Sequence, residues 1–261
     1  KRHSAKGFAY KDKMELMGEF EETFPYEETP GQIKAILDVK KDMLDGKPMD
    51  RLVCGDVGFG KTEVAMRAAF LSFLNGKQVA FMSPITILAD QHFKSFQKRM
   101  NKFHVRIEML SRFKTKAEQT KILKKVEKGE VDILIGTHRL LQPDIKFKNL
   151  GLVIIDEEQR FGVKQKEKLK QMRNEVDILT LTATPIPRTL NICLNKLREI
   201  TTITTAPPGR LPVITEVRKY SERLVEEAIM REIDRGGQVY LLHNRVQTID
   251  TLAAKLSHRM P

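Results

Sequence analysis

The sequence predicts an α/β fold, a mostly parallel sheet with helices on both faces, followed by the beginning of a second domain. Three observations carry this. Short apolar runs recur along the chain at Arg51–Cys54, Gln78–Met82, Arg106–Leu110, Val131–Ile135, Leu152–Ile155 and Ile178–Leu181. They are continuous rather than alternating, as strands buried on both faces must be. Stretches with apolar residues at helical spacing, Glu63–Leu74 and Ile87–Met100, and the more polar Lys116–Lys128, lie between them.

Taken in order, residues 1–30 form an acidic, aromatic-bearing lead-in that ends Phe24-Pro25-Tyr26-Glu27-Glu28-Thr29-Pro30. Gln32–Leu44 reads as a helix leading to the first strand. Residues 31–200 then make the first domain. Residues 201–212, with Thr201-Thr202-Ile203-Thr204-Thr205 and Pro207-Pro208-Gly209, have the composition of a linker. Residues 213–261 offer strands at Val213–Val217 and Gln238–Leu242 and helices at Arg223–Arg235 and Val246–Arg259. That is about half the usual domain size, so this part reads as an incomplete second domain.

Composition narrows the function class. Hydrophobic residues make up 41% and charged residues 31% of the 261, which suits a folded globular chain rather than a disordered one. The best apolar run, Val64–Leu74, is broken by Arg67, so no membrane span is expected. Cys54 and Cys193 are too few for a disulfide framework or a zinc site, and a cytoplasmic location is the expectation. The chain opens Lys1-Arg2-His3 without a signal peptide or an initiating Met, which suggests a piece of a longer protein. The net charge is +12 and uneven: residues 1–50 hold 9 basic and 11 acidic side chains, the remainder 37 and 23. A phosphate-rich partner fits the basic part, as does a merely solvated surface.

Gly55-Asp56-Val57-Gly58-Phe59-Gly60-Lys61-Thr62 matches G-x-x-x-x-G-K-[ST] between an apolar strand and a helical pattern. Its glycines let backbone N–H groups face phosphate oxygens, and the following helix adds its positive end. Lys61 would reach the terminal phosphates and Thr62 would place its hydroxyl on Mg²⁺. The apolar run Leu152–Ile155 ends in Asp156-Glu157-Glu158-Gln159. Asp156 at the sheet edge would hold Mg²⁺ through water, and Glu157 would deprotonate the attacking water.

Together these strings resemble superfamily-two helicases and translocases. Gly60-Lys61-Thr62, Asp156-Glu157-Glu158-Gln159 and Thr182-Ala183-Thr184 are similar to motifs I, II and III. Thr29-Pro30-x-Gln32 is similar to the adenine-reading Q motif, Pro84-x-Thr86-x-Leu88-Ala89-x-Gln91-His92 to motif Ia, Gly136-Thr137-His138 to motif Ib, and Gln238–Arg245 to motif IV. The longer strings Asp156–Gly162 and Thr182–Leu190 resemble the RecG-like branch, in particular those members that couple transcription to repair. The resemblance implies two RecA-like domains, ATP and Mg²⁺ as cofactors, and movement on double-stranded DNA. It further implies displacement of stalled RNA polymerase and recruitment of an excision-repair damage-recognition protein, both through regions outside this segment.

On that resemblance, Gln32 would read adenine, with Phe24 or Tyr26 stacking on the base. Thr86, Gln91, Arg112, Lys114, Thr137 and His138 would grip the DNA backbone without reading sequence. Gln159, Thr182, Thr184 and Arg188 would couple the nucleotide and DNA sites. Motifs V and VI do not occur before Pro261, and weak ATP turnover by this segment alone is the expectation. A RecG-type translocase of branched DNA, and a nucleotide-responsive module without turnover, are the competing readings.

Overall fold

The computed structural model of the chain describes residues 7–172, 175–184, 198–209 and 213–259. Contacts divide the chain into two compact units, Lys1–Arg210 and Leu211–Pro261.

Among the described residues, the first unit is built on one parallel sheet of seven strands: β1 (Asp50–Gly55), β2 (Gln78–Met82), β3 (Ile107–Leu110), β4 (Ile133–Gly136), β5 (Leu150–Asp156), β6 (Asp177–Thr182) and β7 (Glu199–Ile203). The spatial order is β3-β4-β2-β5-β6-β1-β7, every pair parallel. The six expected apolar runs all fall on strands. Residues 201–203, expected in a linker, instead belong to β7, which pairs with β1 from Arg51↔Glu199 to Gly55↔Ile203. Its exposed–half-buried–buried–exposed–buried pattern is that of an edge strand covered on one face.

Side-chain alternation sorts the sheet into two cores. Val53, Val79, Phe81, Ile154, Leu179 and Leu181 face α1 (Met14–Glu22), α2 (Pro30–Leu44), α3 (Lys61–Leu74) and α4 (Thr86–Met100). Ala80, Met82, Leu134, Val153, Ile155 and Ile178 face α5 (Lys116–Lys128) and α6 (Val163–Met172). Helix ends follow local chemistry. α2 and α5 each open with a complete capping box, Thr29 with Gln32 and Thr115 with Glu118, and α5 stops at left-handed Gly129.

The lead-in is part of this unit rather than a separate appendage. Met17 and Phe20 of α1 are buried, and Phe20 stacks on Phe70 of α3 at 4.2 Å between ring centroids, a contact worth about 0.5–1.5 kcal/mol beyond burial. Tyr10 is buried near Asp177, at the opposite edge of the sheet from the phosphate loop. Burial pushes the Asp177 carboxyl up to about 7, although its Oδ1 accepts from Met49 N at 2.6 Å.

The second unit holds α7 (Glu222–Asp234) and α8 (Val246–Arg259), joined by an ion pair between Lys255 and Glu222. The strands expected at 213–217 and 238–242 do not form: neither stretch pairs with a strand among the described residues. Val217 and Tyr240 are each 96% exposed. Apolar runs become strands only where a ladder partner and a core exist to receive them.

Candidate active site

The phosphate loop begins as β1 ends. Gly58 and Gly60 have φ of 80° and 82°, left-handed values that an L side chain resists, and a Cβ on Gly60 would also collide with Gln32 Nε2. The loop turns directly into α3, whose N-terminus at Gly60 has no side-chain cap, so its first N–H groups remain available to an anion. Lys61 Nζ donates to Gly55 O at 2.6 Å and Asp56 O at 3.0 Å. Burial holds its ammonium below the usual lysine range, while Glu157 and Asp156 pull it back toward the charged form.

That electrostatic reach follows from register. Val53 on β1 pairs with Leu181 on β6, which pairs with Asp156 on β5, so the loop and the acidic string leave the same edge of the sheet. Asp156 accepts from His92 Nε2 of α4 at 3.0 Å through Oδ2. Glu157 sits at φ 52°, a strained value for a non-glycine residue. Its carboxylate is held: Oε1 accepts from Ala183 N at 2.8 Å, and Oε2 accepts from Gln159 Nε2. Thr182 Oγ1 donates to Gln159 Oε1 at 3.4 Å and accepts from Thr184 N at 3.1 Å. The acidic string and Thr182-Ala183-Thr184 therefore form one network. Arg188 lies outside the described residues.

Thr62, Gln32, Phe24 and Tyr26 line a cleft of about 1900 Å³ with Gly58 and Gly60. Gln32 was expected to read adenine; its amide is engaged within the protein. Oε1 accepts from Thr29 N at 3.0 Å as half of the capping box, and Nε2 donates to Phe59 O at 3.0 Å, bracing the phosphate loop. Phe24 lies near the guanidinium groups of Arg67 and Arg99, at 5.7 and 5.6 Å, whereas Tyr26 is 75% exposed. Beneath them, Arg99 reaches Glu63 at 2.9 Å, Arg67 reaches Glu63 at 3.0 Å, and Arg67 also pairs with Glu28.

The residues expected to grip DNA leave the same sheet edge one to three strands away. Thr86 opens α4 after β2, Arg112 follows β3, and Thr137 and His138 follow β4. Arg112 is exposed over the Phe113 ring at 5.5 Å, His138 is exposed and Thr137 is buried. The N-terminus of α4 has Ile85 as its cap and no side-chain cap bond. Gln91, assigned to the same group from sequence, lines the same cleft as Thr62, Gln32 and Phe24, beside His92.

His92 and Arg198 carry no individual role in the sequence-based expectation. Arg198 NH1 donates to Glu158 Oε2 at 2.9 Å, and its Nε lies 2.7 Å from Asp50 Oδ1. His92 stood inside a recognised string, and only its contact was unreadable; nothing local marks Arg198. Cys54 is buried and its thiol is pushed up to about 11, as expected of a core residue.

Among the described residues no group of three or more His, Cys, Asp or Glu side chains could hold a metal. Mg²⁺ takes one or two protein oxygens, water and substrate phosphates rather than an all-protein cage. The Thr62 hydroxyl and Asp156 carboxylate are the hard oxygen donors that such an ion requires.

Residues 29–192 match the DEAD/DEAH box helicase family. The chain is 57% identical over 260 residues to a transcription-repair-coupling factor of Haemophilus influenzae and 56% identical to that of Escherichia coli. Each match covers 100% of this chain and 23% of the relative, so the chain spans just under a quarter of their length. A solved structure of RecG bound to a three-way DNA junction is 36% identical, with a TM-score of 0.78, over 98% of this chain and 35% of that one. The helicase MrfA, 15% identical with a TM-score of 0.67 over 94% of this chain and 40% of that one, shares the fold. The family match covers well over half of the chain, including the phosphate loop, the acidic string and the threonine pair that meet at the sheet edge, and the chain belongs to the DEAD/DEAH box helicase family.

Proposed function

We propose that this chain carries the ATP-binding part of a motor that moves on double-stranded DNA. The observation that supports this most is the meeting of Lys61, Asp156 and Glu157 at one sheet edge, with Glu157 tied to Ala183. In this reading the Gly55–Thr62 backbone binds the phosphates and Lys61 exchanges its loop carbonyls for phosphate oxygens. Thr62 and Asp156 would hold Mg²⁺, which when bound would neutralise developing charge on the phosphates. Glu157, fixed by Ala183 N and Gln159, orients the attacking water and accepts its proton. Gln159, Thr182 and Thr184 carry changes at that carboxylate to neighbouring elements, and Arg188 extends the same role. Tyr26 and Phe24 supply the base-side aromatics, and Gln32 exchanges its bond to Phe59 for the adenine edge or keeps bracing the loop.

Thr86, Arg112, Thr137 and His138 hold the DNA backbone on the other half of the edge, aided by the uncapped start of α4. Displacement of stalled RNA polymerase and recruitment of an excision-repair protein are supported by the name that the relatives at 57% and 56% identity bear. The RecG structure on a three-way junction, at 36% identity, favours a second reading in which the same motor acts on branched DNA. Phosphate release by the intact protein on linear and forked duplexes of equal length separates the two. Stimulation confined to forked DNA supports the second. For the motor itself, nucleotide titration of wild type and Lys61→Ala is decisive: equal affinity in both would remove the phosphate-loop assignment.

A further inference from the structure

We infer that His92 is a positioning residue for Asp156, and that α4 thereby links the DNA-gripping edge to the metal-holding carboxylate. The inference rests on the proposed motor reading and assigns that site a further residue. A carboxylate only accepts, so the imidazole Nε2 at 3.0 Å is the donor, and it occupies Asp156 Oδ2. Both side chains are only 14% exposed, so the bond is shielded from competing water. The imidazole is held in turn: its ring lies 4.5 Å from that of Phe81 on β2, at 47° between planes, and Phe81 is buried against Phe96 at 5.2 Å. With one oxygen fixed, Asp156 keeps a single orientation and leaves Oδ1 to face an incoming ion.

The same helix begins at Thr86, six residues before His92, or about 9 Å of helical rise. A rigid helix with one end at the DNA edge and a side chain on the metal-holding carboxylate cannot shift at one point without disturbing the other. Among the described residues, neither Lys61, which bonds to its own loop carbonyls, nor Glu157, which is tied to Ala183 and Gln159, offers such a connection to α4.

The test uses the intact protein as wild type, His92→Ala and His92→Gln, with a fluorescent ADP analogue titrated with MgCl₂, and again in EDTA. The expected result is a rise of about tenfold in the Mg²⁺ concentration for half-maximal binding in His92→Ala. Affinity in EDTA stays within twofold, and His92→Gln, which retains a donor, recovers at least half of the loss. Thermal melts of both variants accompany the titration. If His92→Ala melts early, His92→Leu, which keeps bulk beside Phe81 but has no donor, replaces it: a rise of about tenfold in its Mg²⁺ requirement supports the inference, and an unchanged requirement overturns it. An unchanged Mg²⁺ requirement in a folded His92→Ala overturns it, as does a loss of equal size in EDTA. If wild type shows no Mg²⁺-dependent nucleotide binding, the motor reading fails and this inference falls with it.

Discussion

The two halves of the sheet edge are built differently. Past β1, β5 and β6, the half proposed to bind nucleotide is cross-bonded: Lys61 to two carbonyls, Asp156 to His92, and Glu157 to Ala183 and Gln159. Past β2, β3 and β4, the half proposed to hold DNA presents exposed Arg112 and His138, the partly exposed Thr86, and an uncapped helix start. The first arrangement suits a small ligand held in one pose while charge develops, where fixed groups lower the barrier. The second suits a polymer that must be held and released repeatedly, where any single strong contact would slow movement.

The comparison can be broken first at Glu157. Glu157→Gln keeps an acceptor for Ala183 N but loses the base, so DNA-stimulated phosphate release should fall on the order of 10²–10⁴-fold with nucleotide affinity retained. A loss below fivefold would count against the preorganised half. Next, Glu63→Ala leaves Arg67 and Arg99 buried without the carboxylate they share, which should cost about 3–5 kcal/mol in denaturant unfolding of the first unit. A smaller loss would mean that water or another acid replaces it.

A third test lies at the opposite edge, where Asp177 is held up to about 7. Because the folded state holds this proton more tightly than the unfolded state does, its stabilising contribution is complete below about pH 4 and is lost as pH rises through about 7. Three units correspond to about 4 kcal/mol at most. Asp177→Asn should therefore flatten the decline in melting temperature between pH 4 and 7, and parallel profiles would refute the assignment. The smallest effect belongs to the DNA half: Arg112→Ala should weaken duplex binding a few-fold for any sequence and lower the salt slope by about 1. A tenfold or sequence-dependent loss would show that this half is not distributed after all.

What could be read in advance follows from what is local. The six apolar runs were legible because buried parallel strands are continuous, and the phosphate loop because its glycines answer to backbone geometry alone. β7 was not, since Thr201-Thr202-Ile203 looks like linker until β1 is beside it. α1 buries only Met17 and Phe20, too few positions to show a helical period. Gln32 and Gln91 were recognised by string but not by surroundings: a sequence motif names a side chain without fixing which neighbour it meets. The bond between His92 and Asp156 spans 64 positions and exists only once α4 packs on β2.

The seat of Lys61 on the carbonyls of Gly55 and Asp56 carries one more consequence. The ammonium is already solvated by the protein, so a newcomer must offer at least as much negative charge at the same spot to draw it away. A nucleoside or monophosphate gives it little reason to leave, whereas a polyphosphate tail does. On the proposed phosphate-binding role, the cradle would screen its guests by the length of their anionic chain before any feature of the base is consulted.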